Sequence, residues 1–247
     1  TLTKDGVEFL SYARQVVEQT NLLEERYKSH TETRELFSVS SQHYAFVVNA
    51  FVSLLKRADM TRYELFLRET RTYEIIEDVK NFRSEIGVLF LNSYNRDVLT
   101  KMFDDNRLTY TSLFKARPHI FVSKSNPLAK HEVVSLEDLE DFPYLSYDQG
   151  IHNSFYYSEE ILSQIPHKKS IVVSDRATLF NLLIGLDGYT IATGILNSNL
   201  NGDNIVSIPL DIDDEIDIVY LKHEKATLSK MGEKFLDNLV KEVTFDN

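Results

Sequence analysis

The sequence predicts an α/β protein of two lobes preceded by one long helix, and three observations carry that expectation. Short apolar runs with strand-like composition alternate with longer stretches of helical spacing, in two successive βαβ-type groups. One run, Ile86-Gly87-Val88-Leu89-Phe90-Leu91, is apolar almost without interruption, as in a strand covered on both faces. At the start of the chain Phe9, Ala13, Val16, Thr20, Leu23 and Tyr27 recur at alternating steps of four and three, a heptad seam on a helix over residues 3–29.

The totals bound the function. A chain of 247 residues can bury a sizeable core, as one large domain or two modest ones. Its 38 acidic and 27 basic residues leave a net charge of −11, which repels nucleic acid and anionic membrane, so these residues themselves do not make a DNA-binding surface. Cysteine is absent, which removes disulfides, thiol catalysis and thiolate metal sites and fits a reducing, cytoplasmic compartment. No apolar run approaches the roughly 20 residues of a membrane span. The start at Thr1, without a basic segment and apolar core, is no signal peptide and looks like the cut end of a longer protein.

Each element has its own signal. Thr3 is placed to cap the first helix, whose seam is expected to pair with a second copy of the chain. Leu36-Phe37-Ser38-Val39 reads as a strand and Ser40-Ser41-Gln42 as a polar turn. A helix follows, with Tyr44, Val47, Val48, Phe51, Leu54 and Leu55 on one face. Strand, turn and helix leave free backbone amides over the helix start, where two hydroxyls and an amide could cradle an anion. Plain capping of the helix by Ser40 or Ser41 is the alternative at this point. Strands are expected over 63–68, 86–91, 110–115, 119–123, 144–146, 170–173, 189–193, 205–210 and 216–223. Helices are expected around Ile75–Phe82, from Ser135 with its Ser-x-x-Asp start, over 155–164, over 175–186 and over 228–243. Ligands in such folds sit beyond the carboxyl ends of the strands. That singles out the loops at Ser40–Gln42, Glu69–Thr72, Asp148–Ser154 and Thr193.

Catalytic chemistry finds no support. Eight glycines form neither a phosphate loop nor a dinucleotide fingerprint. The seven histidines lack metal-ligand spacing; His152 is expected at the surface, and the His43 ring is expected to point outward from the first helical turn. The run Asp211, Asp213, Asp214, Glu215 and Asp217 reads as a solvated turn. No metal or cofactor is expected.

At several places the chain resembles one family. Thr3-Lys4-Asp5-Gly6 with Phe9-Leu10 and Ala13 resembles the linker helix of LysR-type transcriptional regulators. Asn126-Pro127-Leu128-Ala129 with Val134-Ser135-Leu136-Glu137-Asp138-Leu139 is similar to that family's HPLA and VSLEDL segments. Val173-Ser174-Asp175 with Leu182 to Tyr189, then Ile208-Pro209-Leu210 and the last helix with Phe235 and Leu236, follow in the family's order. There are departures: Asn126 replaces a His, Asp187 interrupts a small-residue turn before Gly188, and Thr193-Gly194 stands where Pro is frequent.

The resemblance implies a two-lobed periplasmic-binding-protein-like (type 2) fold. A linker and dimerisation helix would occupy residues 1–31, with Phe9, Ala13, Val16 and Leu23 on its seam. Lobe I would span 33–115 plus 212–247, and lobe II 116–211. The family's winged helix-turn-helix would lie outside these residues, so DNA would be contacted only through it. The implied function is effector sensing in a homodimer or homotetramer. Ser40, Ser41, Gln42 and Thr70 from lobe I and Asp148, Asn153 and Thr193 from lobe II would hold a small anionic or zwitterionic metabolite. Ser40-Ser41-Gln42 resembles the Thr/Ser-Gln segment of regulators of cysteine and methionine metabolism, which points to a sulfur-amino-acid precursor such as an O-acylated serine or homoserine. A transport solute-binding protein of the same fold is the alternative; it predicts a monomer and an export signal. An enzyme on the same frame is a third class, and it lacks an acid/base or nucleophile constellation.

Overall fold

Residues 35–41 open the first of two five-stranded sheets. The computed structural model describes residues 3, 5, 6, 9, 12–14, 16, 17, 20, 35–57, 63–196 and 203–244. The chain divides into two compact units, Thr1–Leu36 with Met60–Glu64, and Phe37–Asp59 with Leu65–Asn247.

In the first unit, residues 5, 6, 9, 12–14, 16, 17 and 20 are helical. Thr3 Oγ1 accepts from the Gly6 amide at 3.1 Å, the expected cap. Phe9 and Val16 of the seam are 73% and 66% exposed, and Ala13 is half-buried. Leu23 and Tyr27 lie outside the described residues. A stripe this apolar and this bare is uncovered within the unit.

Strands β1 (Glu35–Ser41), β2 (Tyr63–Glu69), β3 (Ile86–Leu91), β4 (Leu108–Ala116) and β10 (Ile216–His223) form one sheet in the order β2-β1-β3-β10-β4, and all but Glu35–Leu36 and Tyr63–Glu64 of it belongs to the second unit. β1 runs parallel to β3, and β10 runs antiparallel to both β3 and β4. Every residue of β3 is buried, as its apolar run required. Helices α1 (Ala45–Arg57), α2 (Thr72–Lys80), α3 (Arg96–Asp105) and α5 (Lys230–Thr244) belong to this lobe. Ile75, Ile76, Val79, Leu99 and Phe103 close on Leu89, Leu91, Val219 and Leu221 to form its core. Phe37, Phe51 and Phe235 pack ring to ring, centroids 5.6 to 6.3 Å apart, joining β1, α1 and α5.

The second sheet has the order β7-β6-β8-β5-β9, from β5 (His119–Ser123), β6 (Tyr144–Tyr147), β7 (Ser170–Val173), β8 (Tyr189–Ala192) and β9 (Ile205–Pro209). Helix α4 (Arg176–Leu186) lays Leu179 and Leu183 on Phe121, Leu145 and Val173. Asp175 caps it, accepting from the Thr178 amide at 2.8 Å. The chain passes between the sheets twice, after β4 and before β10. Gly188 sits where a Cβ would lie 2.2 Å from Leu145 Cδ1 and 3.0 Å from the Pro143 carbonyl oxygen. Gly188→Ala should therefore cost about 1–3 kcal/mol by overpacking, read as a lower urea midpoint at unchanged m-value. An unchanged midpoint would show that Leu145 moves aside freely.

Two elements differ from expectation. Helix α3 carries only two buried apolar side chains, Leu99 and Phe103, too sparse a stripe to stand out in the sequence. Residues 155–164 do not form a helix. They hold one 3-10 turn at Phe155–Tyr157, leave it through an extended Ser158, and reach a positive φ of 60° at Leu162. Packing of this segment against the first lobe outweighs its helical spacing.

Candidate functional site

Ser40 and Ser41 are the last residues of β1 rather than a turn, because the strand goes on pairing with β3 through Ser40–Gly87 and Ser41–Val88. Their side chains fall on opposite faces. The Ser40 hydroxyl donates to Asp78 Oδ2 at 2.6 Å and meets Ser84 Oγ at 2.7 Å, while Asp78 pairs with Arg83 at 2.8 Å. Ser41 Oγ is buried without a hydrogen-bond partner among the described residues. Gln42 is fully enclosed. Its Nε2 donates to Thr72 Oγ1 at 2.6 Å, and its Oε1 accepts from the Tyr44 hydroxyl at 2.6 Å and the Phe90 amide at 3.1 Å. The Thr70 amide donates to the Ser41 carbonyl at 2.9 Å, and its hydroxyl donates to Glu74.

The loop after β6 faces these residues. Arg71 donates to the Asp148 carboxylate at 2.6 Å and to its carbonyl at 3.0 Å. Both side chains are more than a third exposed, so this pair is worth at most about 1 kcal/mol after screening. Gln149 Oε1 accepts from the Thr72 amide at 3.3 Å. His152 is no bare surface residue: its ring stacks on Tyr73 at 3.5 Å. Asn153 is exposed.

The best-enclosed contact between the lobes was not expected. The His43 ring points inward, 7% exposed, and stacks on Tyr147 at 4.1 Å. Glu159 Oε2 accepts from the His43 amide at 2.9 Å and lies 2.8 Å from its Nδ1, while Oε1 accepts from Gln149 Nε2 at 3.0 Å. Burial opposes the charged imidazole, but the hydrogen bond and charge of Glu159, helped by Glu69, outweigh it and raise the His43 pKa. Next to it, Glu160 is buried and accepts from the Tyr147 amide at 2.9 Å. Burial first, and then the Glu159 charge, push the Glu160 carboxyl well above the usual carboxylate range. Arg176 pairs with Glu69 at 3.1 Å as a further bridge between lobes.

These groups border a cavity of about 50 Å³. His43, Tyr44, Phe46 and Phe90 line it from the first lobe, and Tyr147, Glu159, Glu160, Arg176, Phe121, Phe180 and Thr193 from the second. Of the seven residues singled out in the sequence, Thr193 lines the cavity. Gln42 reaches it through Tyr44, Ser40 is turned away to Asp78, and Ser41, Thr70, Asp148 and Asn153 do not line it.

The sequence departures find their place nearby. Asn126 Nδ2 donates to the carbonyl of Asp187 at 2.7 Å, and Asp187 ends α4 in the left-handed conformation with φ of 52°. Gly194 has φ of 81°, and a Cβ there would lie 2.5 Å from His119 Nδ1, so this turn takes only glycine. The acidic run is mixed rather than uniformly solvated. Asp217 is buried, bound by Arg96 at 2.9 Å and Ser112 at 2.5 Å, and Asp214 accepts from Asn92 at 3.0 Å. Among the described residues no His, Asp and Glu cluster could hold a metal ion, and no helix is long and apolar enough to cross a membrane.

Two mixed sheets, two chain crossings and a polar-and-aromatic cavity between them define a two-lobed type 2 periplasmic-binding-protein-like domain. Residues 40–244 match the model of the LysR substrate binding domain, and the chain belongs to that family. It is thus the effector-binding part of a LysR-type transcriptional regulator. Solved structures share the fold at low identity. HinK, a LysR family transcriptional regulator from Pseudomonas aeruginosa, has a TM-score of 0.55 at 14% identity, covering 98% of this chain and 81% of that one. The Corynebacterium glutamicum OxyR C206 mutant has a TM-score of 0.62 at 13% identity, covering 99% and 76%. The effector binding domain of QuiR in complex with shikimate has a TM-score of 0.55 at 16% identity, covering 85% and 97%. No curated protein matches this sequence.

Sequence reasoning missed His43, Glu159, Glu160 and Arg176. His43 had one usable signal, its place just after a strand and before a helix. The two glutamates had none, because on the expected helix they would have been ordinary surface acids.

Proposed function

We propose that this domain senses a small metabolite bearing a carboxylate, anionic or zwitterionic, between its lobes. The observation that carries the reading is that the His43 amide and ring, just before α1, already close on a carboxylate. Helix starts favour negative charge through their free amides and dipole. The aromatic lining from Phe46, Phe90, Phe121 and Phe180 supports a compact, partly apolar body for the ligand. Ser41, Gln42 and Thr70 would support the carboxylate from the first lobe, with Ser40 acting at one remove through Asp78. Asp148, Asn153 and Thr193 would close from the second, Asp148 being the carboxylate that could pair with an ammonium group. An O-acylated serine or homoserine is the zwitterionic candidate, and shikimate, held by QuiR, the anionic one.

Binding moves the lobes only by the difference in its affinity for their two arrangements. That shift would alter how copies of the chain pair, the seam of Phe9, Ala13, Val16 and Leu23 being the expected homodimer contact, and so how attached DNA-binding domains are spaced. The protein would work in the cytoplasm, where its DNA is.

Thermal unfolding in the presence of O-acetylserine, O-acetylhomoserine and shikimate tests the ligand class. A true effector at one hundred times its Kd should add about 2.7 kcal/mol of stability. No shift with any of the three at millimolar concentration sinks this choice of ligands. A strict monomer on light scattering would count against signalling through pairing of this chain.

A further inference from the structure

We propose that Glu159 is a built-in stand-in for the effector's carboxylate, and that the effector binds by displacing it. The inference rests on the reading that the cavity takes a carboxylate.

Three donors converge on this one side chain: the His43 amide at 2.9 Å, His43 Nδ1 at 2.8 Å and Gln149 Nε2 at 3.0 Å. The Glu159 side chain is 3% exposed. A buried carboxylate held by an amide that precedes a helix, an imidazole and a carboxamide has the surroundings that a carboxylate ligand would need. The cavity beside it measures about 50 Å³, and Glu159 already holds the position there that a ligand carboxylate would compete for.

Glu159 also ends a strap that crosses from the second lobe to the first. Tyr156 stacks on Tyr94 at 4.8 Å, Tyr157 meets Tyr73 edge-on at 5.9 Å, and the Tyr157 hydroxyl donates to Met102 Sδ at 3.6 Å. Releasing Glu159 frees one end of that strap. The empty protein is accordingly held closed by its own carboxylate, and the effector exchanges an internal ligand for an external one. The exchange also separates Glu159 from Glu160, two buried acids adjacent in the chain.

Chemical rescue tests this. Glu159→Ala should lower the thermal midpoint by roughly 3–10 °C, the loss expected for a buried charged hydrogen-bond partner. Sodium acetate, at ionic strength matched with chloride, should restore much of that loss saturably, acetamide should not, and wild type should not respond to either. Equal stabilisation of wild type and variant by acetate would show an open carboxylate site, so the displacement model would fail while the carboxylate reading survived. A response from neither overturns the stand-in role, and the metabolite titrations on wild type then judge the carboxylate reading independently. If Glu159→Ala does not fold, Glu159→Gln keeps the volume and one acceptor. Its strap should lose hydrogen-exchange protection at Tyr156 and Tyr157, and unchanged protection would overturn the proposal.

Discussion

Phe235→Ala is expected to remove about 3–5 kcal/mol of unfolding free energy, the cost of deleting a wholly buried aromatic ring and leaving a cavity. Phe235 has no exposed surface and packs its ring on both Phe37 of β1 and Phe51 of α1. The site resists collapse around a smaller side chain, because its walls are a strand and a helix fixed by their own neighbours. β1 carries Ser41 and leads directly to His43, so the same change should also loosen the cavity. Urea denaturation followed by circular dichroism gives the free energy. A loss below about 1 kcal/mol would mean that α5 repacks, and the account of this core would be wrong.

The second large effect is on pH. His43 has its pKa raised from the ordinary value of 6.5, so its contribution to the closed fold is complete below 6.5 and is lost as pH rises through the elevated value. Glu160 acts in the same direction by another route. It is neutral in the fold, with its pKa well above the ordinary 4.5, so stability falls as pH climbs from 4.5 towards the folded value. Asp148, held down by the Gly150 amide and then Arg71, and Glu77, held down by Lys80, act oppositely, losing stability only as pH falls below the usual carboxylate range. Both lie near the surface and count for less. From these groups, stability should decline as pH rises from 4.5 towards pH 8. Glu160→Gln should remove the part of the decline that starts below 6.5 and leave the part due to His43. Stability that stays flat or rises between pH 6 and 8 would contradict the Glu159 pairing assigned to His43 and the burial assigned to Glu160.

Much of this molecule was legible in its sequence because it is written in local patterns. The period of apolar residues places α1, α2, α4, α5 and nearly every strand. Asp175 and Ser135 announced their turns through side chain-to-backbone bonds only three residues long. The apolar run of β3 revealed a strand buried on both faces, and with it the parallel core. Where apolar positions were few, as in α3, the pattern was too thin to read.

The site was legible only in outline. Of the residues expected in the loops beyond the strands, Thr193 lines the cavity and the other six do not. Two of the most enclosed groups that meet there, His43 and Glu159, are 116 residues apart in the chain. Neither carries a local sign of the other. The departures show the same thing on a smaller scale: Asn126 and Asp187 each break the family pattern, yet they meet in one hydrogen bond between positions 61 residues apart.

The sequence by itself therefore determined the α/β class and the alternation of strands and helices, since each follows from spacing within a single element. Tertiary structure alone decided that residues 155–164 would form a strap instead of a helix, and that a glutamate on it would reach a histidine amide across the cleft. Segment conformation and ionisation there are set by burial and by partners from distant parts of the chain, and local propensities are too small to oppose them.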